Sequence, residues 1–300
     1  MIAIDLGSNT IRFLTADKNG RELWEAQFVV RTAENLVSTG VISDAALERV
    51  ANAIDEAKKR FDFSKHTIAA VATQSFRQAK NQKEALKFLR DSCGVDFEVI
   101  SPETEALLAA RAACESAQKS ALKPPFITID VGGASSEVAY INGARFAYES
   151  LPIGVVTLTE RGFDDGFLYD AVKRLEVFKE EIRAYTRPNA LIATAGAPTT
   201  LAAIKLGLTY ENYDKKIVNA TSLYIAEIAD IRDELKSLDR AEQERLTGKD
   251  RGDLTITGAA ILLRIMDALN YDRVIVFDEG LREGVLSRAF NSGAKIRDIK

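Results

Sequence analysis

With 300 residues, 46% of them apolar, the chain is long enough to bury a full core, and its length suggests about two domains of ~150 residues each. Its 40 Lys and Arg against 44 Asp and Glu give a formal charge of -4, which excludes a global basic field and makes nucleic acid an unexpected partner. The single histidine, His66, stands in a loop and is expected at the surface, which rules out a multi-histidine zinc site and argues against a histidine-based triad or a phosphorelay, pointing to carboxylates, arginines, hydroxyls, backbone amides and a hard metal ion.

The chain opens with the apolar run "MIAIDLGSNT", which breaks at Asp5 into a turn carrying Gly7, Ser8 and Asn9. Next, "IRFLTADKNGRELWEAQFVVR" reads as two strands joined at an Asn-Gly turn, so the element after Asp5 is a strand. That separates it from a dinucleotide-binding turn, which leads into a helix. "SDAALERVANAIDEAKKRF" has helical periodicity, with Ser43 as its cap and Leu47, Val50, Ile54 and Ala57 on one face. A strand "TIAAVATQSF", a helix "NQKEALKFLRDSC", a strand "DFEVIS" and a helix "PETEALLAARAACESAQ" come after it. His66 is expected at the surface, and Cys93 and Cys114, outside any metal-like spacing, as small core or surface residues in a reducing compartment. No leader and no run of about 18 apolar residues is read, so a cytoplasmic protein without a membrane partner is expected.

The two prolines of "KSALKPPF" break the pattern and place a domain boundary there, giving domains 1–122 and 123–300. The segment beyond those prolines repeats the opening: "FITIDVGGASSEVAYINGARFAYESL" has the strand, Asp, Gly turn, strand, Asn-Gly turn and strand of "IAIDLGSNTIRFLTADKNGRELWEA" in the same order. Two such units argue for a duplicated domain with Asp5 and Asp130 in equivalent places. A helix "DAVKRLEVFKEEIRAYTR", a strand and glycine turn "ALIATAGAPTTLAAI", a helix "GAAILLRIMDALN" and a late strand "DRVIVFD" complete the second half.

Paired glycine turns suit phosphate oxygens through their amides and through the hydroxyls of Ser8, Thr10, Ser135 and Ser136. Asp5 and Asp130 would repel an anion unless a divalent cation stood between them, and magnesium is the natural choice. "DLGSNT" and "DVGGASSE" resemble the two phosphate loops of the actin, hexokinase and Hsp70 superfamily. More narrowly, "AIDLGSNTIRFL", "ATQSFRQAKN", "ISPETEALLA", "IDVGGASSEV", "LPIGVVTLTE", "TAGAPTTLAA" and "GLREGVL" resemble, in order, the exopolyphosphatase and guanosine pentaphosphate phosphohydrolase (Ppx/GppA) family.

The resemblance implies an α/β fold of two duplicated actin-like (ribonuclease H-like) domains with an interdomain cleft. It implies magnesium-dependent removal of the terminal phosphate from inorganic polyphosphate or pppGpp, with Glu105 as the base and Asp130 and Glu137 completing the catalytic set. It assigns Gly7, Ser8, Asn9, Thr10, Arg77, Gly132, Gly133, Ala134, Ser135 and Arg251 to phosphate, and Asp5, Asp130 and Glu137 to the metal. The ligands are then polyphosphate or guanosine tetra- or pentaphosphate, with a homodimer as one open assembly. Departures are Pro102, Thr104 and Leu107 in "PETEALLA", where the family shows Gly, Glu and Arg, and Ala134 for a customary glycine. Two other readings stay open: an ATP-dependent phosphotransferase of the same superfamily, and a non-catalytic sensor of ppGpp or polyphosphate.

Overall fold

The computed structural model describes residues 1–292. They divide into two compact units, Met1–Ala109 with the segment beginning at Leu281, and Ala110–Gly280. The division falls inside a helix instead of at the expected 122/123 boundary, and the helix Leu281–Ser292 packs with the first unit instead of the second. The final eight residues of the expected second domain lie outside the described residues.

In the first unit, strands β1 (Ile2–Leu6), β2 (Thr10–Ala16) and β3 (Glu22–Val29) form an antiparallel meander. The short helix α1 (Leu36–Thr39) and helix α2 (Asp44–Arg60) follow. The Ser43 hydroxyl caps α2 by accepting from the Ala46 amide, and Leu47, Val50, Ile54 and Ala57 are all buried. Next come β4 (Ile68–Ala72), α3 (Gln74–Gln78), α4 (Gln82–Cys93), the two-residue β5 (Glu98–Val99) and α5 (Pro102–Lys119). Strand order is β3-β2-β1-β4-β5, with β4 and β5 parallel to β1. Ile2, Ile4 and Leu6 pack against α2 and α4 on one face, while Ala3 packs with Leu108 and Ala109 of α5 on the other. A strand covered on both faces reads as a continuous apolar run, which is why β1 shows no polar alternation before Asp5.

The second unit repeats the plan with β6 (Phe126–Val131), β7 (Ser136–Asn142), β8 (Arg145–Leu151), α6 (Val155–Glu160), α7 (Asp165–Val172), α8 (Arg174–Ile182), β9 (Ala190–Thr194) and α9 (Gly196–Lys205). It continues through α10 (Lys215–Val218), β10 (Thr221–Tyr224), α11 (Ile225–Ser237), α12 (Arg240–Thr247), α13 (Gly252–Leu269) and β11 (Arg273–Val276). Sheet order is β10-β11-β9-β6-β7-β8, so β8-β7-β6-β9-β11 matches β3-β2-β1-β4-β5 strand for strand, and β10 is an addition at the edge. The last helix, α14 (Leu281–Ser292), returns to the first unit, where Leu281, Val285, Leu286 and Ala289 cover the face of the sheet bearing Ala3, Leu14 and Val71.

Two expected elements differ. The strand "TIAAVATQSF" ends at Ala72, where the Thr73 amide donates to the Leu6 carbonyl, and the chain then turns into α3 with the Phe76 and Arg77 amides both donating to the Thr73 carbonyl. The polar run Thr73-Gln74-Ser75 offers no apolar face with which to prolong a buried strand. The helix expected from Asp170 opens earlier, because the Asp164 carboxylate accepts from the Phe167 amide, and it is split into α7 and α8 at Lys173. Both cysteines are buried, and half-buried His66 lies against Phe61, with ring centroids 4.6 Å apart.

Candidate active site

Each unit presents one glycine hairpin at the end of its first strand. In the first, the Gly7 amide donates to the Thr10 carbonyl at 2.9 Å; in the second, Gly132 does the same to Ser135 at 3.0 Å. The carbonyls of the first turn are engaged from behind by residues 30–33. The Thr32 hydroxyl donates to Gly7 O at 2.8 Å, the Ala33 amide to Ser8 O at 3.0 Å, and the Val30 and Arg31 amides to Asn9 O at 2.9 and 3.0 Å. With the carbonyls so occupied, the amides of Ser8 and Asn9 meet no acceptor among the described residues, which is the polarity an anion requires.

The second turn reaches the same state by another route. The amides opening α6 are spent on it, Val155 donating to Gly132 O at 2.9 Å and Val156 to Gly133 O at 2.8 Å. Gly154 makes that approach feasible, since a Cβ there would stand 2.3 Å from the Ala134 nitrogen and the Gly133 carbon. The amides of Gly133, Ala134 and Ser135 again meet no acceptor among the described residues. Ser136 differs from expectation: fully buried, its hydroxyl donates to Ile153 O at 2.8 Å, so it anchors the "LPIGVV" segment and is withdrawn from phosphate.

The carboxylates fall into two settings. Asp5, 7% exposed, pairs across the hairpin with Arg12, whereas Asp130 pairs across its hairpin with Glu137, which is 3% exposed and accepts from the Ser150 hydroxyl at 3.1 Å. Residues directly opposite in an antiparallel pair share a face of the sheet. Two acids side by side are unfavourable alone and fit a hard divalent cation. Among the described residues no three His, Cys, Asp or Glu side chains gather as a ready-made metal site. A carboxylate pair that leaves the remaining coordination positions to phosphate and water is nevertheless a usual way to hold magnesium.

In the first unit, Arg77 of α3 and Glu105 in the first turn of α5 form an ion pair of 2.7 Å, with side chains only 15% and 13% exposed. The same guanidinium donates to Ile100 O at 2.8 Å and, through Nε and Nη2, to the Gln74 side-chain oxygen at 3.0 and 2.8 Å. This group is tied to the first hairpin by Ser75 of α3, whose hydroxyl is 2.7 Å from that of Thr32. Glu103 is exposed on the first turn of the same helix. Arg251 lies at the start of α13, its guanidinium carbon 5.7 Å from the centre of the Tyr210 ring, on a different element from the second hairpin.

The sequence model of the Ppx/GppA phosphatase family matches residues 16–292. The chain belongs to the Ppx/GppA phosphatase family. Among curated relatives of this family member, the guanosine-5'-triphosphate,3'-diphosphate pyrophosphatase of Pseudoalteromonas translucida is 30% identical over 300 residues. The alignment covers 94% of this chain and 58% of that protein, so the chain spans little more than half of that relative's length. Exopolyphosphatase 1 of Mycobacterium tuberculosis is 26% identical over 312 residues, covering 97% of this chain and 88% of the relative. Among solved structures, the Ppx/GppA family member of Aquifex aeolicus superposes with a TM-score of 0.74 at 29% identity, covering 98% of each chain. The fold is thus the actin-like two-domain fold, of the α/β class expected from the sequence.

Several residues around the two hairpins and the Arg77–Glu105 pair escaped the sequence reading: Gln74, Thr32, Ser75, Gly154 and Ser150. Gln74 and Gly154 stand inside family-like motifs, "ATQSFRQAKN" and "LPIGVVTLTE", so a motif reading that asked what each neighbour supports would have reached them. Thr32 and Ser75, 43 positions apart, carry no local signal. Burial pushes both thiols upward, Cys114 additionally through Glu115, while Lys58 opposes the shift at Cys93. Neither is therefore a candidate nucleophile. Among the described residues no helix is long and apolar enough to cross a membrane.

Proposed function

We propose that the chain is a magnesium-assisted phosphoanhydride hydrolase that removes the terminal phosphate from inorganic polyphosphate or pppGpp. The observation that carries the reading is the largely buried Arg77–Glu105 pair, linked through Ser75 and Thr32 to a hairpin whose carbonyls are occupied by residues 30–33. A carboxylate held beside a guanidinium places a proton acceptor next to a phosphate-binding group, which is what attack by water on a terminal phosphorus requires. The names of the two curated relatives support the same class of chemistry.

In this reading the amides of Ser8 and Asn9 and those of Gly133, Ala134 and Ser135 bind phosphate oxygens, with the Thr10 hydroxyl assisting. Arg77 offsets charge on the transferred group, and Arg251 is assigned to the anionic substrate as well. Glu105 orients the water and accepts its proton as the oxygen–phosphorus bond forms. The leaving oxygen departs with the shortened polyphosphate or with ppGpp, and inorganic phosphate is released. Asp130 and Glu137, with Asp5, are the proposed magnesium ligands. When bound, the ion neutralises phosphate charge and aligns the oxygens it touches.

The test is release of inorganic phosphate from polyphosphate and from pppGpp in parallel, with and without magnesium. Metal-dependent release from at least one substrate, with no added acceptor, is expected. Tight binding without turnover at high enzyme concentration would replace the hydrolase with a sensor, and turnover only on addition of an acceptor would replace it with a phosphotransferase.

A further inference from the structure

Arg77 is held more completely than binding an anion alone would need. A guanidinium has five N–H donors in a rigid planar fork. Four are used within the first unit: Nε and one Nη2 hydrogen reach the Gln74 oxygen at 3.0 and 2.8 Å, and the two hydrogens of Nη1 reach Ile100 O at 2.8 Å and Glu105 Oε2 at 2.7 Å. The fifth, on Nη2, meets no acceptor among the described residues. Gln74 occupies the Nε–Nη2 edge, the side of the fork with which an arginine would otherwise grip a phosphate in two-point fashion.

We propose that Gln74 is a positioning residue: its side-chain oxygen locks the plane of the Arg77 guanidinium, so that one group holds Glu105 through Nη1 and offers its last Nη2 hydrogen to an oxygen of the terminal phosphate. Base and anion are then spaced by the width of one guanidinium, and the spacing is fixed before substrate arrives. The inference rests on the hydrolase reading. Without Gln74 the guanidinium is free to turn its Nε–Nη2 edge to the phosphate. Binding survives that change, whereas the alignment of Glu105 with the bound anion is lost.

The test compares Gln74→Met, which keeps length but removes the acceptor, with Gln74→Glu, which keeps it, using phosphate release from polyphosphate in magnesium buffer. Gln74→Met should lower kcat ~10-fold or more while changing KM less than about threefold, a misalignment signature. Gln74→Glu should retain kcat within about threefold of wild type and raise KM through its added negative charge. Should Gln74→Met fail to fold, Gln74→Ser, too short to reach the guanidinium, carries the same expectation. An active wild type matched in kcat by a folded Gln74→Met or Gln74→Ser overturns this inference alone. A wild type that releases no phosphate overturns the hydrolase reading and this inference with it.

Discussion

Opposite Asp5 in the first hairpin stands Arg12, and opposite Asp130 in the second stands Glu137, although turn hydrogen bonds, strand order and register agree in the two units. The two copies share a backbone and differ in charge. The first sets its buried carboxylate beside a cation, and the second gathers two acids on one face. The part of the hairpin made by main-chain amides is the same in both, and the difference lies in the side chain opposite the aspartate. In the proposed hydrolase reading the first unit contributes the proton acceptor and its guanidinium, and the second the acidic pair proposed to hold magnesium.

That division breaks most visibly at Glu105. Glu105→Ala should lower turnover ~100-fold or more with folding intact, the scale expected when a general base is lost; steady-state kinetics beside a thermal melt read both, and an unchanged rate removes Glu105 from the chemistry. Next in size, Asp130→Asn and Glu137→Gln should each raise the magnesium concentration for half-maximal rate by about tenfold. Asp5→Asn, beside Arg12, should raise it less. Equal shifts in a magnesium titration would erase the asymmetry.

The turns themselves can be set against each other. A Cβ at Gly132 would lie 2.7 Å from Ser135 O, while one at Gly7 would lie 3.4 Å from Thr10 O. Gly132→Ala should therefore cost about 1–3 kcal/mol through overpacking, and Gly7→Ala less than about 1 kcal/mol, as read by urea denaturation. The smallest expected effect is at the cysteines. With burial holding both thiols protonated above the usual thiol range, native protein at pH 8 should resist iodoacetamide, and both should react once the chain is unfolded. Rapid labelling of Cys93 or Cys114 in the native state would show the burial to be incomplete.

The features legible in the sequence were local. The Asn-Gly pairs marked both outer turns because Gly20 and Gly143 adopt positive φ, at +79° and +59°, where a side chain is disfavoured. Asp17 secures the first of these by accepting from the Asn19 and Arg21 amides. The repeat of strand, Asp and Gly carried the duplication, and Ser43 marked its helix start. Three features stayed hidden because distant parts of the chain decide them. Residues 73–76 read as strand until the Leu6 carbonyl takes the Thr73 amide. The Thr32–Ser75 link joins segments 43 residues apart. Helix α14 is no less apolar toward one unit than the other when read in sequence, and only burial of Leu281, Val285 and Leu286 against Ala3, Leu14 and Val71 assigns it.

The return of α14 also bears on how the protein is made. Synthesis delivers β1, β2 and β4 early, and Leu108 and Ala109 of α5 soon after, yet the rest of that face of their sheet waits for α14 from Leu281, after the whole of Ala110–Gly280 has been translated. The contiguous second unit has its parts together sooner. A ribosome stalled before codon 281 would thus leave an open apolar sheet for chaperones to shield, and a nascent chain released there should be the species that proteases remove first.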